Sequence, residues 1–285
     1  MERSKFLLGE GRTALFATKH GKELLVQSLF NDQLGIQVQV APEFDTDVFG
    51  TFSGEVNRRD SALETVRRKA KAAADKYGHD LILASEGSFG PHPEIFFAHA
   101  NEEYLLLADY KNKREYLAKH LTTDTNFSGE RLTNLTDLAT FLQKVGFPEA
   151  KVILKNREEN PDVVSKDLAS EEEVATAAQD LLNRFGSFYV ETDMRAMNNP
   201  LRRKAIAETA QKLIEKIKSL CPNCAAPGFD WYDVKTGLPC ELCKQPTNSV
   251  LALKYRCEVC QFENEQPRPD NKSFESAMYC NYCNP

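Results

Sequence analysis

Cysteine is absent from the first 220 residues of this 285-residue chain. So is any run near the roughly 20 apolar residues that a membrane-spanning helix needs. The opening Met1-Glu2-Arg3-Ser4-Lys5 has no apolar core of the signal-peptide kind, so export is not expected. Positive charge is in the minority. With 36 Lys and Arg against 42 Asp and Glu, the net charge is −6, which argues against bulk affinity for nucleic acid. A Walker loop and a GxGxxG fingerprint are both missing, as are internal repeats and low-complexity linkers in residues 1–218. These absences point to a cytoplasmic chain without membrane contact. Its 41% hydrophobic content leaves room for a sizeable core in one large or two smaller domains.

What is present is concentrated at the end. All eight cysteines fall in four Cys-x-x-Cys pairs: Cys221/Cys224, Cys240/Cys243, Cys257/Cys260 and Cys280/Cys283. Fifteen residues separate the first two pairs and nineteen the last two, both within zinc-ribbon spacing. Two structural zinc sites in residues 219–285 are therefore expected. A disulfide framework would suit a secreted chain instead, and a redox role would need one such motif rather than four. The pairs could coordinate in order or interleaved; each gap matches a ribbon spacing by itself, which favours pairing in order. The tail carries six Lys/Arg and eight Asp/Glu, and two Zn(Cys)₄ centres bring its charge to roughly −6. A ribbon that tracks phosphates would be basic, so a structural role or a contact with a protein partner is favoured over nucleic acid.

Residues 1–218 read as an α/β domain, a layered sheet with flanking helices. Apolar runs mark strands at Ala14-Leu15-Phe16-Ala17, Leu81-Ile82-Leu83-Ala84, and residues 36–40, 95–98, 104–108, 151–154 and 188–190. Helical periodicity covers residues 22–30, 61–77 (stripe Leu63, Val66, Ala70, Ala73, Tyr77), 136–144, a segment from Ser170, and 200–218 with Asn199 as cap.

Sites in such sheets gather at strand C-terminal ends. Thr18, Lys19 and Lys22 follow the first strand at a helix start, a position suited to an anion; Lys22 would equally serve as a solvated helix-start residue. Glu64, in the Ser61-x-x-Glu64 capping box, and Lys69 lie on the next helix, in a basic cluster that includes Arg67 and Arg68. Glu86 ends a buried strand ahead of Gly87 and Gly90. It is the leading candidate to hold Mg²⁺ or Mn²⁺ near a phosphate, together with Glu43, Asp45, Asp47 or Glu64, and His92 sits nearby between two prolines. Finally, Asp193 and Arg195 precede Arg202, a cation in a helix's first turn. That is an unfavourable place unless it meets an anion, and Asp193 could itself supply one.

Read in order, these segments resemble a known group. Ala17-Thr18-Lys19-His20-Gly21-Lys22, the helix Glu64-Thr65-Val66-Arg67-Arg68-Lys69-Ala70, and Ala84-Ser85-Glu86-Gly87 are similar to the opening loop, Glu-x-x-x-x-Lys-Ala helix and acidic strand end of the inosine/xanthosine triphosphatases. In the opening loop the usual Asn is His20 here, and Lys22 comes one residue early. Over nearly the whole chain, the segments Phe44 to Phe52, Ala84 to Pro93, Thr192 to Ala196 and Tyr279 to Pro285 resemble an uncharacterised bacterial family known only as a domain of unknown function. The first resemblance implies a metal-dependent hydrolase of a nucleotide or other phosphorylated small molecule. Glu86, Lys22, Glu64 and Lys69 would be catalytic, and Thr18, Lys19, His92, Asp193, Arg195 and Arg202 would contact substrate. The alternatives are a nucleotide-sensing module whose ribbons contact a protein and, less favoured, a nucleic-acid binder.

Overall fold

The computed structural model describes residues 11–19, 21–46, 49 and 61–285. The chain divides into two compact units, Gly9–Ile214 and one containing Glu215–Pro285. The boundary lies inside the last helix, four residues before the 218/219 division expected from composition.

The first unit opens with β1 (Thr13–Ala17), α1 (Glu23–Leu34), β2 (Gln37–Val40), α2 (Ala62–Tyr77), β3 (Leu81–Pro91), β4 (His99–Asp109) and β5 (Arg114–Thr122). They form a mixed sheet in the order β2-β1-β3-β4-β5, with β2, β1 and β3 parallel and β4 and β5 antiparallel. Leu15, Ala17, Ile82 and Ala84 pack with Val66, Ala70 and Ala73 of α2, so the helix stripe read from the sequence is the one buried. The helix starts at the expected capping box, Ser61 Oγ accepting from the Glu64 amide and Glu64 accepting from the Ser61 amide, and stops at left-handed Gly78.

A second sheet, β6-β9-β7-β8, uses β6 (Gly129–Leu132), β7 (Val152–Lys155), β8 (Val164–Ser165) and β9 (Phe188–Thr192). It shares a core with α3 (Leu135–Val145) and α4 (Glu171–Phe185) built on Phe141, Leu154, Val174, Leu181 and Phe188. Then α5 (Pro200–Lys218) begins where the Arg202 amide donates to Asn199 Oδ1 at 3.0 Å, the expected cap.

One strand expectation needs correction, and another is met by a longer strand. Residues 95–98 are not a strand but part of the turn between β3 and β4. There His92 Nδ1 accepts the Glu94 and Ile95 amides, and Phe96 and Phe97 stand exposed. Residues 104–108 are the inner half of an eleven-residue strand. Its outer half, His99-Ala100-Asn101-Glu102-Glu103, shows no apolar run, and β5 shows only the short Tyr116-Leu117-Ala118 between charged residues.

The second unit is a three-stranded antiparallel sheet of β10 (Asp230–Thr236), β11 (Val250–Arg256) and β12 (Glu263–Pro267). Its knuckles lie before β10, between β10 and β11, between β11 and β12, and after β12. No described helix is long and apolar enough to cross a membrane.

Candidate functional site

The cysteines gather into two sets, but not in order. Cys221, Cys224, Cys257 and Cys260 form one, and Cys240, Cys243, Cys280 and Cys283 the other, with all sulfurs of a set within 4.8 Å of one another. The reason is the antiparallel meander. Each strand carries the chain to the opposite end of the sheet, so knuckles one and three share one end and two and four the other. A seven-residue strand spans about 23 Å, too far for successive knuckles to share an ion. All eight thiols are free of disulfides. Tetrahedral zinc with bonds of about 2.3 Å requires sulfurs about 3.8 Å apart. The Sγ···Sγ distances are 3.7 Å for Cys221–Cys260 and Cys224–Cys257, 3.9 Å for Cys240–Cys283 and 3.6 Å for Cys243–Cys280. Leu242 and Val259 amides donate to Cys240 and Cys257 sulfur at 3.4 Å, the outer-shell support a thiolate site uses. The residues present fit structural zinc.

In the first unit, the end of β1 and the middle of β3 bring five charged side chains into one buried group: Lys22, Lys69, Glu86, Glu103 and Arg202. Glu86 does not end its strand as expected, because β3 pairs with β4 as far as Pro91. Side chains alternate across β3. Glu86 therefore follows Ala84 onto the α2 face and accepts a short hydrogen bond from Lys69. Ser85 and Gly87 take the other face. There Lys22, directly before α1, donates to Ser85 Oγ at 3.1 Å. Gly87 is paired with Glu103 of β4, and Glu103 accepts from Arg202 Nε at 2.8 Å. Arg202 also donates to the Met194 carbonyl and lies over the Phe89 ring at 5.2 Å. A Cβ at Gly87 would come within 2.5 Å of Glu103 Oε1 and 2.6 Å of Arg202 Nη2, so the Glu103–Arg202 pair would have to shift to admit one.

Lys22 differs from the other two cations. Lys69 and Arg202 each meet a carboxylate, whereas Lys22 meets a hydroxyl. Burial, and next the nearby Arg202, lower its pKa from 10.5 to about 7, with Lys69 adding to the fall and Glu103 and Glu86 opposing it. On the same face of β4, buried Asn101 has neither its amide nitrogen nor its oxygen bonded among the described residues, and Glu103 Oε2 has no hydrogen-bond partner there. Polar atoms so placed call for water or a ligand.

The other expected residues are distributed more widely. Thr18 is buried at the end of β1, while Lys19 is exposed and pairs with Asp45 at 3.0 Å. Both line a cleft of about 450 Å³ with Glu23, Glu43 and Phe44. Glu43 is exposed with left-handed backbone. Glu64 closes its helix cap, and hydrogen bonds from Ser61 hold its carboxyl below the usual range. His92 organises its own turn. Asp193, fully buried, is bidentate to Arg195 Nε at 3.0 Å, and Arg195 also reaches Asp167 at 2.6 Å. Burial alone would lower the guanidinium pKa, but these carboxylates raise it above its ordinary value. Asp193 and Arg195 are thus a mutual pair, separate from the hydrogen bonds that hold Arg202. Asp47 lies outside the described residues. Among those residues, the two Cys₄ sets are the groups of three or more ligand side chains close enough to share one metal. Glu86, Glu43, Asp45 and Glu64 do not assemble into a carboxylate cage.

Reading the sequence missed Glu103, Ser85 and Asn101. The available signal was an acid and an amide at alternate positions before the apolar run Leu105-Leu106-Leu107, which marks a strand running into a polar site.

The model of a family described as a domain of unknown function, DUF6671, matches residues 69–285. Among solved structures, the chain is similar to protein VC0702 from Vibrio cholerae at 10% identity over 70% of this chain and 90% of that one, with a TM-score of 0.31, too low to carry an argument. No curated protein matches.

Proposed function

The chain belongs to the DUF6671 family, and we propose that its α/β unit binds and hydrolyses a nucleotide or other phosphorylated small molecule at the buried charge cluster. The observation that carries this reading is Lys22. It is a buried lysine with no carboxylate of its own, beside two further cations, just past the C-terminal end of β1 and against the middle of β3. A phosphate there would restore the charge that burial suppresses and would meet Lys69 and Arg202 as well. The neighbouring cleft beside Thr18 and Lys19 offers room for the rest of the molecule. A nucleoside triphosphate, as handled by the inosine/xanthosine triphosphatases, is the finer form of the proposal. Magnesium or manganese would be held by Glu86 and the substrate's own phosphate oxygens, where it would supply Lewis acidity. Lys22 and Lys69 would neutralise charge developing on the phosphate, and Arg202 would fix its orientation. A cytoplasmic setting, where thiols stay reduced, suits the Cys₄ sites.

A second reading is a ligand-sensing module. It is favoured by the Glu86 carboxylate, which Lys69 already engages, and by the lack of a carboxylate cage among the described residues. One experiment separates the two. Purified protein with Mg²⁺ or Mn²⁺ is offered a broad nucleotide panel, with phosphate and pyrophosphate release measured beside calorimetric binding. Release that is lost in Lys22→Met and Glu86→Gln supports the hydrolase. Stoichiometric binding without release supports the sensor, and neither binding nor release overturns both.

A further inference from the structure

The two Cys₄ ends of the second unit differ in what surrounds them. The first has its own apolar packing: Phe229 and Ala226 are buried with Cys221 and Cys257, and Tyr255 and Phe262 close over them. The second turns its apolar side chains outward. Leu242 is 70% exposed, Met278 67%, Tyr279 64% and Tyr282 68%. Leu242 and Tyr282 occupy the third position of their Cys-x-x-Cys knuckles, and Met278 and Tyr279 directly precede Cys280. The four sulfurs of that set lie within 4.8 Å, and the Ala277 amide donates to Glu241 Oε1. The exposed side chains of both knuckles therefore lie around one Cys₄ set at one end of the sheet, whereas scattered apolar residues would need no explanation.

The charge of the patch selects its occupant. Four thiolates around zinc leave about −2, and Glu241 adds to this at the rim. Lys272 pairs with Glu275 at 2.6 Å, and Lys244, over the Phe274 ring at 4.2 Å and donating to the Glu241 carbonyl at 2.7 Å, offsets Glu241 but leaves the charge of the thiolate centre. Two copies of the patch face to face would bring like charges together, and a nucleic-acid backbone would be repelled. We propose that the Cys240/Cys243/Cys280/Cys283 end is a docking surface for a protein segment that presents apolar or aromatic side chains flanked by Lys or Arg. Such a segment would cover the four exposed side chains and place its cations against the thiolate centre. Leu242 and Tyr282 would be the central anchors and Glu241 the rim contact.

The test uses the zinc-loaded full chain as bait for a random-sequence peptide display library. The expected consensus pairs an aromatic or aliphatic residue with adjacent Lys or Arg. The enriched peptide, made synthetically, should bind wild type and lose at least tenfold affinity to Leu242→Ser/Tyr282→Ser, with both zinc ions retained. Val259→Ser, at the same knuckle position of the other centre, should leave binding unchanged. An acidic consensus, no consensus, or equal binding to wild type and the double variant would overturn the proposal. So would self-association of the wild type that the double variant abolishes, since the patch would then belong to a second copy.

Discussion

Replacing Lys22 with methionine keeps the volume of the side chain and removes its charge. A lysine that titrates at about 7 in the fold and at 10.5 otherwise penalises folding wherever the unfolded chain carries the charge that the fold disfavours. The unfolded chain binds the extra proton between about pH 7 and 10.5, so stability rises with pH through that window, and the penalty is full below it. At pH 7 the penalty is about 4 kcal/mol. The hydrogen bond to Ser85 Oγ returns about 1 kcal/mol. Lys22→Met should therefore be more stable than wild type by about 3 kcal/mol at pH 7, by about 1 at pH 9, and by nothing near pH 10. Urea unfolding of both proteins at a series of pH values measures this directly, from midpoints at unchanged slope. A variant less stable than wild type at pH 7, or a difference that does not shrink as pH rises, would refute the reasoning. A stabilised variant that no longer binds a phosphorylated ligand would identify Lys22 as a residue retained for the ligand rather than for the fold.

Gly87→Ala forces a Cβ against Glu103 and Arg202 at 2.5–2.6 Å and should lower stability by about 1–3 kcal/mol in thermal melts. Arg202→Ala leaves buried Glu103 without the cation it faces and should cost about 3–5 kcal/mol; adding Glu103→Leu should recover much of that loss in chemical denaturation. The interleaved knuckles predict that Cys221→Ser/Cys257→Ser retains one zinc per chain, while Cys221→Ser/Cys240→Ser retains none. Pairing in order would give the opposite result by elemental analysis. Chelation should unfold the Cys₄ sheet, while the α/β unit keeps its cooperative transition.

Local features were legible wherever the physics is local. The caps at Ser61 and Asn199 bond as expected, because a side chain three residues from an orphan amide needs nothing distant to form its bond. Amphipathic α2 buries the stripe its periodicity marks. Strands with one polar face were harder: the outer half of β4 carries no apolar run and β5 only the short Tyr116-Leu117-Ala118, and the 95–98 run proved to be a turn organised by His92. In the candidate site, Glu86, Lys22, Lys69 and Arg202 were picked by residue type and position, and the fold does gather them. Glu64 and His92 were picked the same way and are occupied with a helix cap and a turn.

What the sequence determined by itself is therefore the ligand inventory: eight thiols in four knuckles, an α/β order of elements, and a supply of cations beside strand ends. These follow from spacing and periodicity, which act over a few residues. Which thiols share a metal was decided by the antiparallel sheet, because a meander returns alternate knuckles to the same end. The tertiary structure likewise set Arg202 against Glu103, 99 residues away. It also buried Lys22 deeply enough to move its titration toward neutrality, since desolvation depends on everything packed around a charge and on nothing written beside it in the chain.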